Sequence, residues 1–474
     1  MNSQSLRFSP HWLVWLAGII FGLSACSPFG LQPKLVHPNE DQLQAKSTPT
    51  PVETRPHPFL SATPSPTPVI DLNIIRGEEV TLWHPFAGKV AEVLNQLADE
   101  FTRQNSYGIR VSAVSVGSED ILASSPGISA GENPPHLVLA PSVLLTRWGK
   151  DGVVIPLDDW MRAPEMGLSQ EVIGSIRQVF WEQDRVDQKQ VGIPALRTAY
   201  GLIYNQSWAQ ELGYNAPPST VDQFREQMCA AAQANNRSPY LEKRGTGGWL
   251  ADFSSTTAIS WLSAFGTRFE KENAPVSFQF DQPGALRALQ FLRKMQLDGC
   301  IWVGRNPVPQ QYFAERYTLA YSGTLQMLAS QQRMLSNVGS EDQWLFIPYP
   351  SVDGVPIALS DGYSYGIFHS SSTKESAAWI FIAWLSRPEQ QIRLNEAYSG
   401  LLLGEGQPVK TSISKQIGEI YSTLRPAPAS PDWLIVRRPL EDAFWQVFNL
   451  ASEEQLVSIL PQLDEMIAEL SQKP

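Results

Sequence analysis

The stretch EEVTLWHPFAGKVAEVLNQLADEFTRQNSYGIRVSAVSVG, residues 78–117, changes its period twice. Val80, Leu82 and Trp83 read as a strand; after Gly88 the apolar positions Val90, Val93, Leu94, Leu97, Ala98 and Phe101 recur at helical spacing. IRVSAVSVG then alternates as a second strand. A strand, a helix and a strand within forty residues predict a parallel βαβ unit, and with it an α/β fold.

The rest of the chain repeats the theme. PPHLVLAPSVLLTRWGKDGVVIPLDDW supplies an apolar strand, a short helix and a turn, and a further apolar strand runs from Tyr200 to Tyr204. Thr220 and Gln223 form a T-x-x-Q capping box ahead of a helix, and Leu286 to Leu297 is amphipathic. RYTLAYSGTLQM reads as a strand entering a helix. KESAAWIFIAWLS, from Lys374, is almost wholly apolar after a second box at Ser372 and Glu375, which marks a buried core helix. The foldable part runs to roughly 400 residues, beyond what one core usually organises, so two lobes are expected.

The N-terminal region is of another kind. Trp12 to Ala25 is apolar, follows Arg7 and His11, and ends in small residues before Cys26. It falls short of the ~20 residues a membrane span needs and has the anatomy of a cleaved signal peptide over 1–25. LSAC, ending in Cys26, resembles the lipobox of bacterial lipoproteins, which implies a lipidated Cys26 anchored at the outer face of a membrane or in the periplasm. Residues 26–77, rich in Pro, Thr and Ser, read as an extended tether. With Cys26 set aside, Cys229 and Cys300 are left; either they pair, closing a 71-residue loop in an oxidising compartment, or both are buried thiols. A net charge of −11 argues against a nucleic-acid partner.

The order of segments resembles that of the family 1 extracellular solute-binding proteins, the sugar-binding receptors of ABC importers. VTLWHPFAGKVAEVLNQLADEFTRQ is similar to that family's opening strand and helix, and GIPALRTAYGLIYNQSWAQELGYNAPPSTVDQF to its crossover strand with Y-N, G and P-x-T marks. FAERYTLAYSGTLQM and SYGIFHSSSTKESAAWIFIAWLSRPEQQIRLNEA resemble its late segments. The resemblance covers roughly 78 to 410. It implies a two-lobe periplasmic-binding-protein type 2 fold, a ligand cleft between the lobes, hinge closure, a monomer, and permease subunits as membrane partners. The first lobe would take 78–198 with 323–362, the second 199–322 with 363–474. Two places depart from the pattern: SGTL lacks the tryptophan that often follows S-G, and YSGLLLGEGQP stands where the family often has G-Y-L-P.

A sugar site needs aromatic platforms and side chains that donate and accept. Aromatics at strand ends and in loops are the candidates: Trp83 with His84, Tyr204 with Asn205, Trp249 in a glycine-rich loop, and Tyr363 and Tyr365 on the return strand. Ser254, Ser255, Ser322, Gly323, Glu119 and Asp120 supply polar groups, whereas Trp148, Trp160, Trp379 and Trp384 read as core. Gly362-Tyr363-Ser364-Tyr365-Gly366 matches the G-x-S-x-G nucleophile elbow, but the residues after Ser364 read as strand and a single histidine, His369, follows. The histidines are scattered and no HExxH, CxxC or Walker motif occurs, so no metal or cofactor is expected. The expectation is a lipid-anchored, non-enzymatic receptor for a small solute, most simply a carbohydrate, with a ligand-presenting sensor or scaffold lipoprotein as the alternative.

Overall fold

The computed structural model describes residues 74–124, 135–271, 278–304, 308–404, 420–449 and 452–472. The signal segment, Cys26 and most of the tether lie outside the described residues. The described residues form twelve strands: β1 (Glu79–His84), β2 (Arg110–Ser115), β3 (Leu137–Pro141), β4 (Arg185–Val186), β5 (Lys189–Gln190), β6 (Ile193–Asn205), β7 (Trp249–Leu250), β8 (Ile301–Trp302), β9 (Ala320–Thr324), β10 (Trp344–Ile347), β11 (Ala358–Ile367) and β12 (Leu424–Pro426). β4 and β5 form a small hairpin. The other ten make one sheet, ordered β2-β1-β3-β11-β6-β9-β7-β8, with β10 on β6 and β12 on β11.

The expected βαβ unit is present. β1 and β2 pair in parallel from Glu79 opposite Arg110 to His84 opposite Ser115. The helix Gly88–Gln104 between them buries Val90, Val93, Leu94, Leu97, Ala98 and Phe101, the six positions its periodicity marks. The run Leu137 to Ala140 is buried because β3 sits inside the sheet between β1 and β11.

β6 is what makes two lobes of one sheet. Its first half, Ile193 to Tyr200, pairs antiparallel with β11, and its second half, Tyr200 to Asn205, pairs with β9 and β10. β6 and β11 therefore cross between the lobes side by side. Gly362 permits this contact, since a Cβ there would lie 2.0 Å from the Leu196 carbonyl oxygen. Just beyond it the register shifts at a bulge between Tyr363 and Ser364.

The crossing also corrects the expected lobe boundaries. β9 and β10 lie against the second half of β6, so 323–347 adjoins the second lobe, and the return into the first comes with β11. On either side of the bulge, Tyr363 to Ile367 pair with β3, which delivers the chain into the first lobe. The helices Ser372–Leu385 and Pro388–Tyr398 accordingly pack there: Phe101 meets Phe381 at 4.9 Å and Trp384 at 5.6 Å between ring centroids, and Arg393 bridges to Glu100 at 2.7 Å. From the segment 363–474 the terminal helices Trp433–Val447 and Glu453–Ser471 join the second lobe, through Trp433 on Phe278, Phe448 on Phe253 and the Asp464 carboxylate on the Phe280 and Asp281 amides.

Around β7, β8 and β9 the second lobe gathers the helices Val221–Asn236, Ser255–Ala264 and Pro283–Leu297. Cys229, on the first of these, is bonded to Cys300 just before β8. Closing 71 residues contributes about 4 kcal/mol on the chain-entropy account. Thr220 and Gln223 do form the expected capping box. The second box is displaced: Ser371, not Ser372, caps the helix, and Glu375 instead takes the Ser370 amide at 2.9 Å.

Candidate ligand-binding cleft

Where the crossing strands meet the second lobe there is a cavity of about 460 Å³, with Tyr200, Asp252, Ser254, Ser322, Met327 and Tyr349 in its wall. Each polar group is held by local geometry. β7 ends at Leu250, and the chain turns through Asp252 into the helix Ser255–Ala264, with Ser254 as N-cap accepting from the Thr257 amide. The Asp252 carboxylate accepts from the Ser254 hydroxyl at 2.7 Å and from the Thr257 hydroxyl. On β9 the Ser322 hydroxyl accepts from Tyr349 at 2.7 Å, and burial pushes the Tyr349 phenol up. The result is a wall of hydroxyls oriented by one carboxylate.

The first lobe contributes rings. Phe86, just after β1, lies edge-on to Tyr363 at 4.6 Å and to Tyr398 at 6.0 Å, and Tyr363 and Tyr398 are 5.9 Å apart. The Tyr363 hydroxyl donates to the Glu119 carboxylate, and burial together with that carboxylate drives the phenol upward. Tyr398 ends its helix, where Ser399 turns left-handed at φ 58° and aims the chain back toward Arg197.

Tyr200 joins the two walls. Its phenol is raised by burial first and then by the charges of Asp361, Tyr398 and Glu119, while a hydrogen bond with Thr256 of the second lobe opposes the rise. Asp361, on β11, is half-buried and pushed up to about 6 by desolvation, against the pull of the Gly362 amide at 2.7 Å and the Arg197 charge. Arg197 itself stands behind the crossing, fully buried. It pairs with Asp184 at 2.9 Å and donates to the Tyr363 carbonyl at 2.8 Å and the Ser364 hydroxyl at 2.9 Å, so it braces the bulge rather than facing the cavity.

Of the residues singled out in the sequence, Ser254, Ser322 and Gly323 line this cavity, and Tyr363 and Glu119 are joined by a hydrogen bond in the ring cluster of the first lobe. Others are placed elsewhere. Trp249 is wholly buried, edge-on to Trp261 at 5.6 Å in the second core, because its glycine-rich loop ends in β7 inside the sheet. Tyr365 is wholly buried in the first core, and Tyr204 is buried with its hydroxyl on Gln227 at 2.7 Å. Asn205 caps the next helix through the Trp208 amide and donates to Asp342. His84 is 0% exposed, pushed down to about 4 by burial and so neutral at physiological pH; Trp83 packs against a small cluster that includes Val138 and Leu144. Ser255 donates to Glu441 at 3.0 Å, and Asp120 is exposed. Trp148, Trp160, Trp379 and Trp384 are core, as expected.

Sequence reasoning missed Phe86, Tyr200, Asp252, Asp361 and Tyr398. Asp252 carried a signal, standing two residues before a Ser-Ser-Thr helix start. Tyr200 and Asp361 did not, since each sits in a strand that reads as interior. Ser364 lies mid-strand with β11 continuing to Ile367, so the G-x-S-x-G match makes no elbow. A larger hollow, about 520 Å³, lies beside Asn105, Met166 and Trp384 and is lined by the first lobe alone. Among the described residues no group of His, Cys, Asp or Glu could hold a metal ion, and no helix is long and apolar enough to cross a membrane.

Comparison with known proteins agrees with this geometry. The sugar-binding protein MalE of Xanthomonas citri superposes with a TM-score of 0.69 at 18% identity, over 84% of this chain and 100% of that one. The cyclic alpha-maltosyl-1,6-maltose binding protein of Arthrobacter globiformis gives 0.68 at 16%, over 83% and 99%. UgpB of Mycobacterium tuberculosis, solved with glycerophosphocholine, gives 0.65 at 15%, over 83% and 98%. At these identities the likeness establishes the two-lobe fold. No curated protein matches in sequence. The family profile described as bacterial extracellular solute-binding protein matches residues 96–402, which span both lobes and the strands that cross between them. The chain belongs to the bacterial extracellular solute-binding proteins.

Proposed function

We propose that this protein is the lipid-anchored receptor of an ABC importer and closes on a carbohydrate held between its lobes. The observation that carries the reading is the division of labour in the cleft. Rings come from one lobe (Phe86, Tyr363, Tyr398) and a carboxylate-ordered set of hydroxyls from the other (Asp252, Ser254, Ser322, Tyr349), with Tyr200 on the crossing strand between them. A sugar offers weakly polar C–H faces to rings and hydroxyls that both donate and accept, so it matches both walls at once. MalE and the maltosyl-maltose binding protein share the fold and are sugar binders by name, which supports the class. The work done is the difference in affinity between open and closed states, not covalent chemistry. Cys26 and the Pro-rich segment after it would keep the receptor beside its permease.

The test is a thermal-shift screen of the protein against sugars, polyols, glycerol phosphodiesters and amino acids. A ligand at 100 times its dissociation constant adds about 2.7 kcal/mol. A shift with a sugar class, abolished in Tyr363→Ala and in Asp252→Ala, is the expected result. A shift with amino acids alone, or one that survives both substitutions, overturns the reading.

A further inference from the structure

The first lobe holds a hollow that the ligand site does not use. At about 520 Å³ it exceeds the cleft cavity and shares no lining residue with it. Its apolar wall stands where two helices end: Phe101 comes from the C-terminal end of Gly88–Gln104, and Ile380 and Trp384 from that of Ser372–Leu385. Met166 and the Tyr107 ring widen it, and Arg387 stands exposed on its rim. Apolar surface of this kind is unfavourable in water until something covers it.

The chain enters the fold at that rim. Among the described residues Ile75 is the first to be wholly buried, and it belongs to the first core. Gly77, turned left-handed at φ 75°, donates its amide to the Tyr107 carbonyl at 3.1 Å. The residues just upstream of Ile74 therefore start beside a residue that lines the hollow. Their sequence departs from that of the tether before them. Pro64-Ser65-Pro66-Thr67-Pro68 gives way to Val69-Ile70-Asp71-Leu72-Asn73, and five of the seven residues from Val69 to Ile75 are large and aliphatic. A purely solvated spacer has no use for that density. The prolines fix φ, so less freedom is lost when the segment is held, and Pro-rich segments are taken up by grooves lined with aromatic rings. Five extended residues span about 16 Å, enough to carry 69–73 from the rim into the hollow.

We infer that residues 64–73 dock in this hollow and make the end of the tether part of the first lobe. In an extended segment Ile70 and Leu72 share one face and Asp71 takes the other. Ile70 and Leu72 then cover Phe101, Ile380 and Trp384, while Asp71 stays at the rim with a charge opposite to that of Arg387. A second copy or a membrane partner would have to bring its own apolar segment to the same wall. This one is already tied at the rim, which gives it the higher effective concentration. The tether proper then ends near residue 63, and a pull along it acts on the first lobe alone. Because the hollow and the ligand cavity have separate linings, the docking is independent of what the cleft binds.

Hydrogen–deuterium exchange of the full-length protein tests the docking. The amides of 69–73 should exchange at least tenfold more slowly than those of a synthetic peptide of residues 60–74. In the double variant Ile70→Asp, Leu72→Asp, the segments Phe101–Tyr107 and Ile380–Arg387 should lose protection, and adding the synthetic peptide should restore it. Ala383→Trp, which fills the hollow, and Arg387→Glu, on its exposed rim, should each speed exchange at 69–73 at least threefold, with folding checked by thermal melting. Exchange at 69–73 as fast as in the free peptide overturns the inference. Slow exchange there that neither hollow variant alters places the segment elsewhere and overturns it too. Protection of the hollow that grows with protein concentration assigns it to a second copy, and protection that appears only on native membranes assigns it to a membrane partner; either result overturns the docking of 64–73.

Discussion

Asp361 shows how a desolvated carboxylate on a crossing strand can be costly to the protein that carries it. Its carboxyl sits in a desolvated place and its proton is held until about pH 6, whereas in the unfolded chain it leaves near 3.9. Between those values the native state binds the extra proton, so stability contributed here declines as pH rises from about 4 to about 6 and stays low above that. Asp361→Asn should therefore raise the stability of the ligand-free protein at pH 7.5, by on the order of 1–3 kcal/mol given partial burial, with the gain disappearing near pH 4. Denaturant melts at the two pH values decide this, and a loss of stability at pH 7.5 would contradict it. Trp249 makes the opposite case. It is wholly buried against Trp261, so Trp249→Ala should cost about 3–5 kcal/mol, while the variant that remains folded at low temperature keeps its ligand affinity. A variant of wild-type stability that no longer binds would return Trp249 to the cleft.

At the scale of elements, the β6–β11 crossing carries both the architecture and the site. Asp184, Arg197 and Ser364 form a buried polar knot at the bulge: Ser364 donates to Asp184 at 2.5 Å while Arg197 holds both. Removing one member leaves an uncompensated charge, so Asp184→Ala should destabilise by about 3–5 kcal/mol. Equilibrium unfolding measures it, and a loss under 1 kcal/mol would show the pair to be dispensable. Elements with a clear period were legible in the sequence, down to the six buried positions of Gly88–Gln104 and the capping box at Thr220. What escaped was set by pairing at long range. Whether Trp249 enters a loop or a strand depends on Ile301 and Ala320, 52 and 71 residues further on, and the bulge that sends β11 to β3 has no local signature. Tyr200 and Asp361 were invisible for the same reason: each sits within a strand that crosses between lobes, and which of its positions come near the cavity is set by how β6 and β11 pair over a separation of some 160 residues, not by the residues beside it.

On the scale of the whole molecule, two lobes share one sheet, and the proposed closure about the two strands that cross between them would let ligand contacts on both sides bias a single opening motion. The proposed lipid anchor would act on a different quantity. Cys26→Ser should release the protein from membranes and slow uptake by cells while leaving ligand affinity in solution unchanged; uptake at the wild-type rate by the released form would remove the reason for a tether. Closure is the claim on which the rest depends. The direct measurement is small-angle X-ray scattering of the protein with and without saturating concentrations of the sugar identified by thermal shift, in the wild type and in Tyr363→Ala. A smaller radius of gyration is expected on binding in the wild type, with no change in the variant at the same sugar concentration. Saturated wild-type protein with an unchanged radius of gyration would contradict it.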